Sequence, residues 1–435
     1  MSCNPLRKIY TGSIVNPPNP RIFLSAGEAS GDHYGAQLIA ELRNRHPHAA
    51  CFGLGGKEME AAGFNRVVRA EDVAHMGITE VIRHMPRIYG EYRRLVASIK
   101  RHRPDVAILI DFPDVNFRLA RELKKLGVPV IYFVSPQLWA WKRSRLRWVQ
   151  QRVDRMMVIF PFEERFYRAR GVDARFVGHP LAELPKPTVS REDYAADHGL
   201  DPAKLWIALL PGSRWKEITA NLDVMLEMTY RFGSGYQYIL PVASTIDREQ
   251  LAEAITGHDE WLPTDTDAAL KENNIRLVPD ARDALHHARA AVVASGTATV
   301  QAAVIGNPFV VVYRVSPLTF WLAKRLVRYP SEIWNSSQTP TDSDLPIAMV
   351  NLVAGRQVVL ELLQDRFTAD NIANALDPLL VDGHERQRMI ADLAEVRQAL
   401  QPPPGTSSIQ QVCDAVEQLL PENVLRGGPK STASV

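Results

Sequence analysis

The 435-residue sequence has only three cysteines, Cys3, Cys51 and Cys413. They are too few and too far apart for a disulfide framework, and no C-x-x-C spacing is present. The sequence therefore gives no indication of a structural zinc site, and a reducing compartment is expected.

Long apolar runs and an excess of one charge are also absent. No stretch of 18 apolar residues occurs, so no membrane-spanning helix is predicted. Residues 1–20 are polar and proline-rich and lack the apolar segment of a signal peptide. The formal net charge is only +2, which does not indicate a nucleic-acid partner. Any membrane contact is therefore expected to be peripheral.

Short apolar, β-branched segments alternate with amphipathic helical patterns. The predicted strands are residues 21–25, 106–110, 130–134, 205–210, 238–242, 275–278, 291–294 and 309–313. Continuously apolar strands separated by helices are typical of parallel sheets covered on both faces. In such sheets ligands bind beyond the carboxyl ends of the strands, so the loops there are the candidate functional segments.

Prolines at 180, 185 and 187 interrupt this alternation and indicate a linker. We predict an α/β fold of two Rossmann-like domains facing a cleft. The predicted organisation is a disordered tail at 1–19, domains at 20–185 and 200–400, a C-terminal helix at 401–422, a disordered tail at 423–435, and a polar inserted loop at 331–346.

Two segments of the first half carry candidate chemistry. The run G-E-A-S-G-D at 27–32 joins a strand to a helix, where Glu28 and Ser30 could meet an anionic or hydroxyl-rich ligand and Ser30 could cap the helix. Asp111 ends a buried strand and could act as a general base toward a substrate hydroxyl, whereas Asp114 is expected to cap the next helix. The alternatives are a capped turn without a ligand and two capping aspartates.

Two turns of the second half could hold a diphosphate. Gly212, Ser213 and Arg214 follow a strand in P-G-S-R, and arginine offers a planar fork of donors. Ser295, Gly296 and Thr297 lead from a strand into a helix, where small residues let a phosphate approach backbone N–H groups. The alternatives are a surface turn and simple helix packing.

Basic residues alternate with aromatic ones in three segments. Residues 77–100 and 318–330 suit an anionic membrane surface, although ordinary core-facing helices with solvated charges are the alternative. Residues 139–148 combine three tryptophans with Lys142, Arg143, Arg145 and Arg147. No RNA- or DNA-binding motif accompanies them, so a cleft rim or a lipid-phosphate contact is favoured.

Eight segments together resemble the lipid-A-disaccharide synthase family. They are A-G-E-A-S-G-D at 26–32, M-G-I-T-E-V at 76–81, P-D-V-A-I-L-I-D-F-P-D-V-N-F at 104–117, V-S-P-Q-L-W-A-W-K at 134–142, L-L-P-G-S-R at 209–214, A-S-G-T-A-T at 294–299, T-F-W-L-A-K-R-L-V at 319–327 and V-N-L-V-A-G-R at 350–356. Their common order over so much of the chain is far more specific than any one segment.

The resemblance implies a B-type glycosyltransferase fold and a peripheral enzyme at the cytoplasmic face of the inner membrane. The first half would hold the acceptor, 2,3-diacylglucosamine 1-phosphate, and the second the donor, UDP-2,3-diacylglucosamine. The reaction would invert the anomeric centre, form a β-1,6 bond and release UDP, without a cofactor or a metal in the chemical step. Family members can also form homodimers with exchanged C-terminal segments.

The resemblance also assigns roles to individual residues. Asp111 would be the base, Arg214 and the Ser295–Thr297 turn would meet the diphosphate, and Asn351 would lie near the donor sugar. Gln301 stands where the family has a glutamate that grips the ribose, a departure that could weaken donor binding. The alternative functions are a UDP-sugar epimerase of the same fold and a non-catalytic nucleotide- or lipid-binding module.

Overall fold

The computed structural model describes residues 19–74, 78–257, 274–334 and 346–425, which form two sheets. The first sheet consists of β1 (Arg21–Ala26), β2 (Ala50–Gly55), β3 (Asn65–Arg69), β4 (Val106–Ile110), β5 (Val130–Phe133), β6 (Arg155–Val158) and β7 (Ala174–Phe176). The second consists of β8 (Leu205–Leu210), β9 (Tyr236–Pro241), β10 (Ile275–Val278), β11 (Ala290–Ala294), β12 (Phe309–Tyr313) and β13 (Glu361–Leu363).

Every strand pair in both sheets is parallel. The strand orders are β3-β2-β1-β4-β5-β6-β7 and β10-β9-β8-β11-β12-β13. The order reverses beside β1 in the first sheet and beside β8 in the second, which are the switch points where open α/β sheets place ligands. The predicted α/β fold with two Rossmann-like halves is therefore confirmed.

Helices cover the sheets and join consecutive strands. In the first half they are α1 (Ala29–Arg45), α2 (Lys57–Ala61), α3 (Glu71–Ala74), α4 (Ile78–His102), α5 (Pro113–Lys125), α6 (Leu146–Arg152), α7 (Pro161–Arg168) and α8 (Pro180–Glu183). The remainder are α9 (Arg191–His198), α10 (Trp215–Phe232), α11 (Arg248–Thr256), α12 (Ala281–His287), α13 (Thr297–Ile305), α14 (Pro317–Leu326), α15 (Met349–Ala354), α16 (Ala369–Leu380), α17 (His384–Ala399), α18 (Ser408–Leu419) and α19 (Glu422–Leu425). Within the described ranges, no helix combines the length and apolar character needed to cross a bilayer.

The end of the chain returns to the first half. Helix α18 packs against α1, and Arg45 forms ion pairs with Asp414 at 2.6 Å and Glu417 at 3.3 Å. The Gln411 amide donates to the carbonyl of Val177 at 2.9 Å. The two halves are therefore joined by the linker after β7 and again by the segment that precedes α18.

Several expectations need adjustment. Residues 335–345 of the predicted polar loop lie outside the described residues, but Ile333 and Trp334, at its start, are buried in the core. Glu422–Leu425 form a short helix with Val424 buried, within the predicted C-terminal tail. Residues 1–18 and 426–435, the rest of the predicted tails, lie outside the described residues, as do residues 75–77 and the side chains of 78–85 in the basic 77–100 segment.

Candidate active site

A cavity of about 860 Å³ lies where the two halves face each other. It is bordered by segments that follow β4, β5 and β6 of the first sheet and β11 and β12 of the second. Its lining includes Ser30, Tyr34, Asp111, Glu163, His179, Ser295, Gly296, Thr297 and Tyr313. The cavity therefore brings together predicted residues from both halves.

Asp111 directly follows β4, in a backbone conformation that is rare for residues with a side chain. Its φ is +43°, and Phe112 follows at +47°, both in the left-handed region. The buried Asn116 holds this turn, because its amide donates to the carbonyls of Ile110 at 3.1 Å and Asp111 at 2.7 Å. The Tyr132 hydroxyl donates to the same Asp111 carbonyl at 2.6 Å. The main chain is thus fixed while the carboxylate faces the cavity.

The surroundings of Asp111 raise its pKa. Burial and then the negative charge of Glu28 raise the pKa of Asp111 to about 6, against the opposing effect of a backbone hydrogen bond from Phe112. A carboxylate with a pKa near 6 is ionised at neutral pH and more basic than an exposed aspartate. It is therefore suited to accept a proton from a hydroxyl group.

The turn at 27–32 differs from its prediction. Glu28, not Ser30, is the N-cap of α1, and it makes no side-chain capping hydrogen bond. Ser30 is in the first helical turn and lines the cavity, whereas Glu28 acts on Asp111 through its charge. Gly27 is required here, because a Cβ would lie 2.4 Å from the Phe112 ring.

Asp114 does not cap α5 through its side chain. The N-cap is Phe112, and Asp114 is the second residue of the helix. Its carboxylate is 70% exposed and accepts a hydrogen bond from the Arg145 guanidinium at 2.7 Å. Both groups line the cavity.

Ser295, Gly296 and Thr297 form the predicted turn into α13. Gly296 is the N-cap with φ +154°, and a Cβ there would meet no atom within 4 Å. The backbone N–H of Ser295 donates to Val312, whereas Thr299 reaches back to the Gly296 carbonyl through both its N–H and its hydroxyl. The turn presents the start of a nine-residue helix to the cavity, where an anionic group would be stabilised.

Gly212, Ser213 and Arg214 follow β8, which is the neighbour of β11 in the sheet. Gly212 has φ +141°, and the N–H of Ser213 donates to Glu217 at 3.0 Å. The Arg214 guanidinium is 70% exposed and contacts Glu217 at 3.2 Å. These residues are not among those lining the cavity, although their strand ends at the same edge as β11.

The remaining two donor-side residues also lie outside the cavity lining. Gln301 is half-buried on α13, one turn after Thr297. Asn351 is 1% exposed, and its amide donates to Val359 and Glu361 while its oxygen accepts from the N–H groups of Val358 and Val359. All of its hydrogen-bonding capacity is used internally, so the structure gives Asn351 a role in holding the 346–361 segment rather than a direct contact with a sugar.

Glu163, which was not predicted from the sequence, is 1% exposed and lines the cavity. It accepts hydrogen bonds from the Ser135 hydroxyl at 2.6 Å, the Trp139 indole at 3.0 Å and the Phe160 N–H at 3.3 Å. Burial, partly opposed by these bonds, raises its pKa to about 7. A local sequence pattern could have identified Glu163. The run P-F-E after a strand places proline at the first and glutamate at the third position of a helix.

His179 lines the cavity as a neutral ring. It is 3% exposed, and burial lowers its pKa to about 3. Nδ1 accepts a hydrogen bond from the Leu181 N–H at 3.2 Å, so Nε2 carries the proton in the neutral tautomer. The described residues contain no group of three His, Cys, Asp or Glu side chains suited to a metal ion.

Comparison with known proteins identifies the family. The lipid-A-disaccharide synthetase profile matches residues 22–416. A lipid-A-disaccharide synthase of Acidobacterium capsulatum is 54% identical over 407 residues, which cover 92% of this chain and 96% of that protein. The resemblance predicted from the eight segments is therefore confirmed.

Solved structures agree on the fold. The glycotransferase of kitacinnamycin superposes with a TM-score of 0.56 at 15% identity, covering 93% of this chain and 100% of that one. A UDP-GlcNAc 2-epimerase from Neisseria meningitidis reaches 0.58 at 10% identity, covering 92% and 100%. The fold is thus common to transferases and epimerases, and only the sequence relationship separates them. The chain belongs to the lipid-A-disaccharide synthetase family and is a glycosyltransferase with the B-type fold.

Proposed function

We propose that this enzyme transfers 2,3-diacylglucosamine from its UDP derivative to 2,3-diacylglucosamine 1-phosphate, with inversion, forming a β-1,6-linked disaccharide 1-phosphate and UDP. One observation carries the proposal. The half-buried carboxylate of Asp111, with a pKa raised to about 6, lines the same cavity as the helix start at Ser295–Thr297. A base therefore faces an anion-stabilising turn across the cleft.

In the proposed reaction Asp111 accepts the proton of the acceptor's 6-hydroxyl group. The hydroxyl oxygen attacks the donor's anomeric carbon as the bond from that carbon to the UDP oxygen breaks. Attack from the side opposite the leaving group inverts the centre. The fixed main chain of Asp111 keeps the carboxylate oriented, which lowers the entropic part of the barrier.

The departing UDP gathers negative charge on its diphosphate. We assign its stabilisation to the start of α13, where Gly296 and Thr297 offer backbone N–H groups and Ser295 and Thr297 offer hydroxyls. Arg214 and its turn at 212–213 lie at a neighbouring strand end, and the guanidinium would exchange Glu217 for the diphosphate. Gln301 is proposed to meet the ribose, with Asn351 holding the adjoining segment.

Helix α14 is the proposed membrane contact. Its exposed side chains include Leu318 at 68%, Trp321 at 48% and Leu326 at 64%, and its basic residues Lys324 and Arg325 are in the last turn. Leu322 and Leu326 also line the cavity, so the helix connects the apolar surface with the site. Acyl chains could therefore leave the bilayer along α14, at the inner face of the inner membrane.

The described part of α4 does not support the same role. Leu95 and Ile99 are buried, and Arg87 forms an ion pair with Asp72 at 2.7 Å. Its C-terminal half thus packs as an ordinary core-facing helix and leaves Tyr89 60% exposed. The proposed docking surface is accordingly α14.

The decisive experiment is mass spectrometry of the product from defined acylated donor and acceptor, with NMR of the new glycosidic bond. We expect a tetra-acylated disaccharide 1-phosphate with a β-1,6 link, formed in step with UDP. The epimerase alternative predicts conversion of a UDP-sugar that lacks acyl chains, in the absence of acceptor. Formation of an epimer without UDP release would contradict the proposal.

A further inference from the structure

The charged side chains that line the cavity are of two kinds. The carboxylates are Asp111, Asp114 and Glu163, whereas the cations among the described residues are Lys142 and Arg145. Lys142 directly precedes the 3-10 turn Arg143–Arg145, and Arg145 is the last residue of that turn. Neither cation has a role in the proposed reaction. Lys142 and Arg145 therefore form a cationic wall of the cavity to which no ligand group has been assigned.

This wall is held in place by specific contacts. Lys142 has φ +53°, in the left-handed region, and its ammonium group lies 4.0 Å from the centre of the Trp141 ring. The Arg145 guanidinium is 20% exposed and lies over Trp148, 5.5 Å from the ring centre. Each cation therefore contacts a tryptophan ring; Lys142 is exposed, whereas Arg145 is half-buried.

Arg145 is also close to Asp111, through its ion-pair partner Asp114. Its partner Asp114 is three residues after Asp111, on the same connection from β4 into α5. A ligand that replaced Asp114 on Arg145 would therefore lie close to Asp111 and within the same cavity. Arginine pairs with carboxylates and phosphates through the same planar fork, so a phosphate can take that place.

We propose that Lys142 and Arg145 bind the phosphate monoester of the acceptor and thereby direct its hydroxyl group to Asp111. The assignment rests on the proposed function, because that function supplies an acceptor with a phosphate. Asp114 occupies the anion position in competition with the substrate. The two cations then determine selectivity for a phosphorylated acceptor.

The test compares equilibrium binding of 2,3-diacylglucosamine 1-phosphate and its dephosphorylated analogue in the same detergent. Arg145→Gln and Lys142→Gln should each weaken binding of the phosphorylated acceptor about 10- to 100-fold. Binding of the analogue should change less than about threefold. Arg147→Gln is the matched control, since Arg147 is exposed in the same segment and does not line the cavity.

Asp114→Asn gives an opposite expectation. It removes the competing charge, so binding of the phosphorylated acceptor should become several-fold tighter. A purely structural Arg145–Asp114 pair predicts no gain and a lower midpoint of thermal unfolding. That result would overturn the proposal even if the Arg145 variant failed to fold.

Other outcomes have distinct meanings. Loss of UDP affinity in the Arg145 and Lys142 variants, with acceptor preference unchanged, would assign the cations to the donor and overturn the proposal. Loss of binding to anionic vesicles alone would assign them to a phospholipid headgroup and overturn it too. Because the readout is binding, a preference that depends on Arg145 would support this site even if no disaccharide formed, and the proposed function would then fail separately.

Discussion

At the scale of single residues, the Asp111 turn is the clearest feature. We expect Asp111→Asn to lower kcat by roughly 10²–10⁴, because the amide keeps the shape but cannot accept the proton. For the unmodified enzyme, kcat/KM should rise about tenfold per pH unit below the pKa near 6 and level off above it. The measurement is a pH profile of initial rates with saturating donor.

The pH profile of a Glu28→Gln variant tests the origin of the raised pKa of Asp111. The substitution removes the charge that helps to raise the pKa of Asp111, so the acidic limb should move to lower pH while the plateau stays near its original value. An acidic limb that remained in the Asp111→Asn protein, or near-normal turnover by that protein, would move the role of base elsewhere.

Glu163 gives a prediction about stability. Burial raises its pKa from an ordinary value of 4.5 to about 7, so the folded state holds a proton that the unfolded chain has already released at pH 6. Its contribution to stability is complete below about pH 4.5 and is lost as the pH rises through about 7. Glutamine does not titrate, so Glu163→Gln should gain stability relative to the original protein between pH 5 and pH 8.

The check is the midpoint of thermal unfolding of both proteins across that range. Glu164→Gln is the control, since its carboxylate is 29% exposed and lies 3.6 Å from Arg168. Parallel pH curves for the original and Glu163→Gln proteins would contradict the raised pKa.

The positions of Asp111 and of the Ser295–Thr297 turn beside the cavity could be predicted from the sequence, because each directly follows an apolar strand, β4 of the first sheet and β11 of the second. The Glu163 cluster could not be predicted, since Ser135 and Trp139 lie 28 and 24 residues away along the chain. Asn351 was assigned to the donor sugar by resemblance, and only the structure places its four hydrogen bonds inside the protein.

At the scale of secondary-structure elements, α14 is unusual in that none of its residues is buried. Leu318→Ser with Trp321→Ser should reduce binding to vesicles, because these side chains are exposed and do not line the cavity. Lys324→Ser and Arg325→Ser should reduce it only when anionic lipid is present, by about 1 kcal/mol for each lost charge. The measurement is co-sedimentation with neutral and anionic vesicles.

Val381→Ser with Ile390→Ser is the control, since both side chains are exposed on another part of the molecule. Turnover of detergent-dispersed substrate should be unchanged in all of these variants. Equal binding by the α14 variants and the control would remove this helix from the membrane contact.

Strands that are continuously apolar could be predicted from the sequence, whereas a strand that contains glycines could not. Strands β4, β5, β8 and β12 are continuous apolar runs, and each was predicted within a residue of its observed bounds. Strand β2 was missed because its sequence, A-C-F-G-L-G, contains two glycines. A Cβ at Gly53 would lie 2.1 Å from the Leu24 carbonyl oxygen, so a close approach between β1 and β2 excludes the β-branched residue that would mark a strand.

At the scale of the whole molecule, α18 secures the return of the chain to the first half. Val412, Cys413 and Val416 are fully buried there. Val416→Ala should destabilise the protein by about 2 kcal/mol, through lost burial and the cavity left behind. The matched control is Val381→Ala, because Val381 is 61% exposed. Thermal unfolding midpoints measure both, and equal midpoints would mean that α18 does not stabilise the first half.

The same contact bears on how the protein is made. Arg45 meets Asp414 across 369 positions of the chain, and at roughly 5–20 residues per second a ribosome needs about 20–70 s to add them. Once β7 has been made, at residue 176, the nascent first half has its strands and α1 but not the helix that packs against α1. The surface of α1 that contacts α18 must then wait for the last part of the polypeptide. Slow translation or premature termination near residue 400 would accordingly yield a species that chaperones and proteases recognise, even though Asp111 and the Ser295–Thr297 turn had already been synthesised.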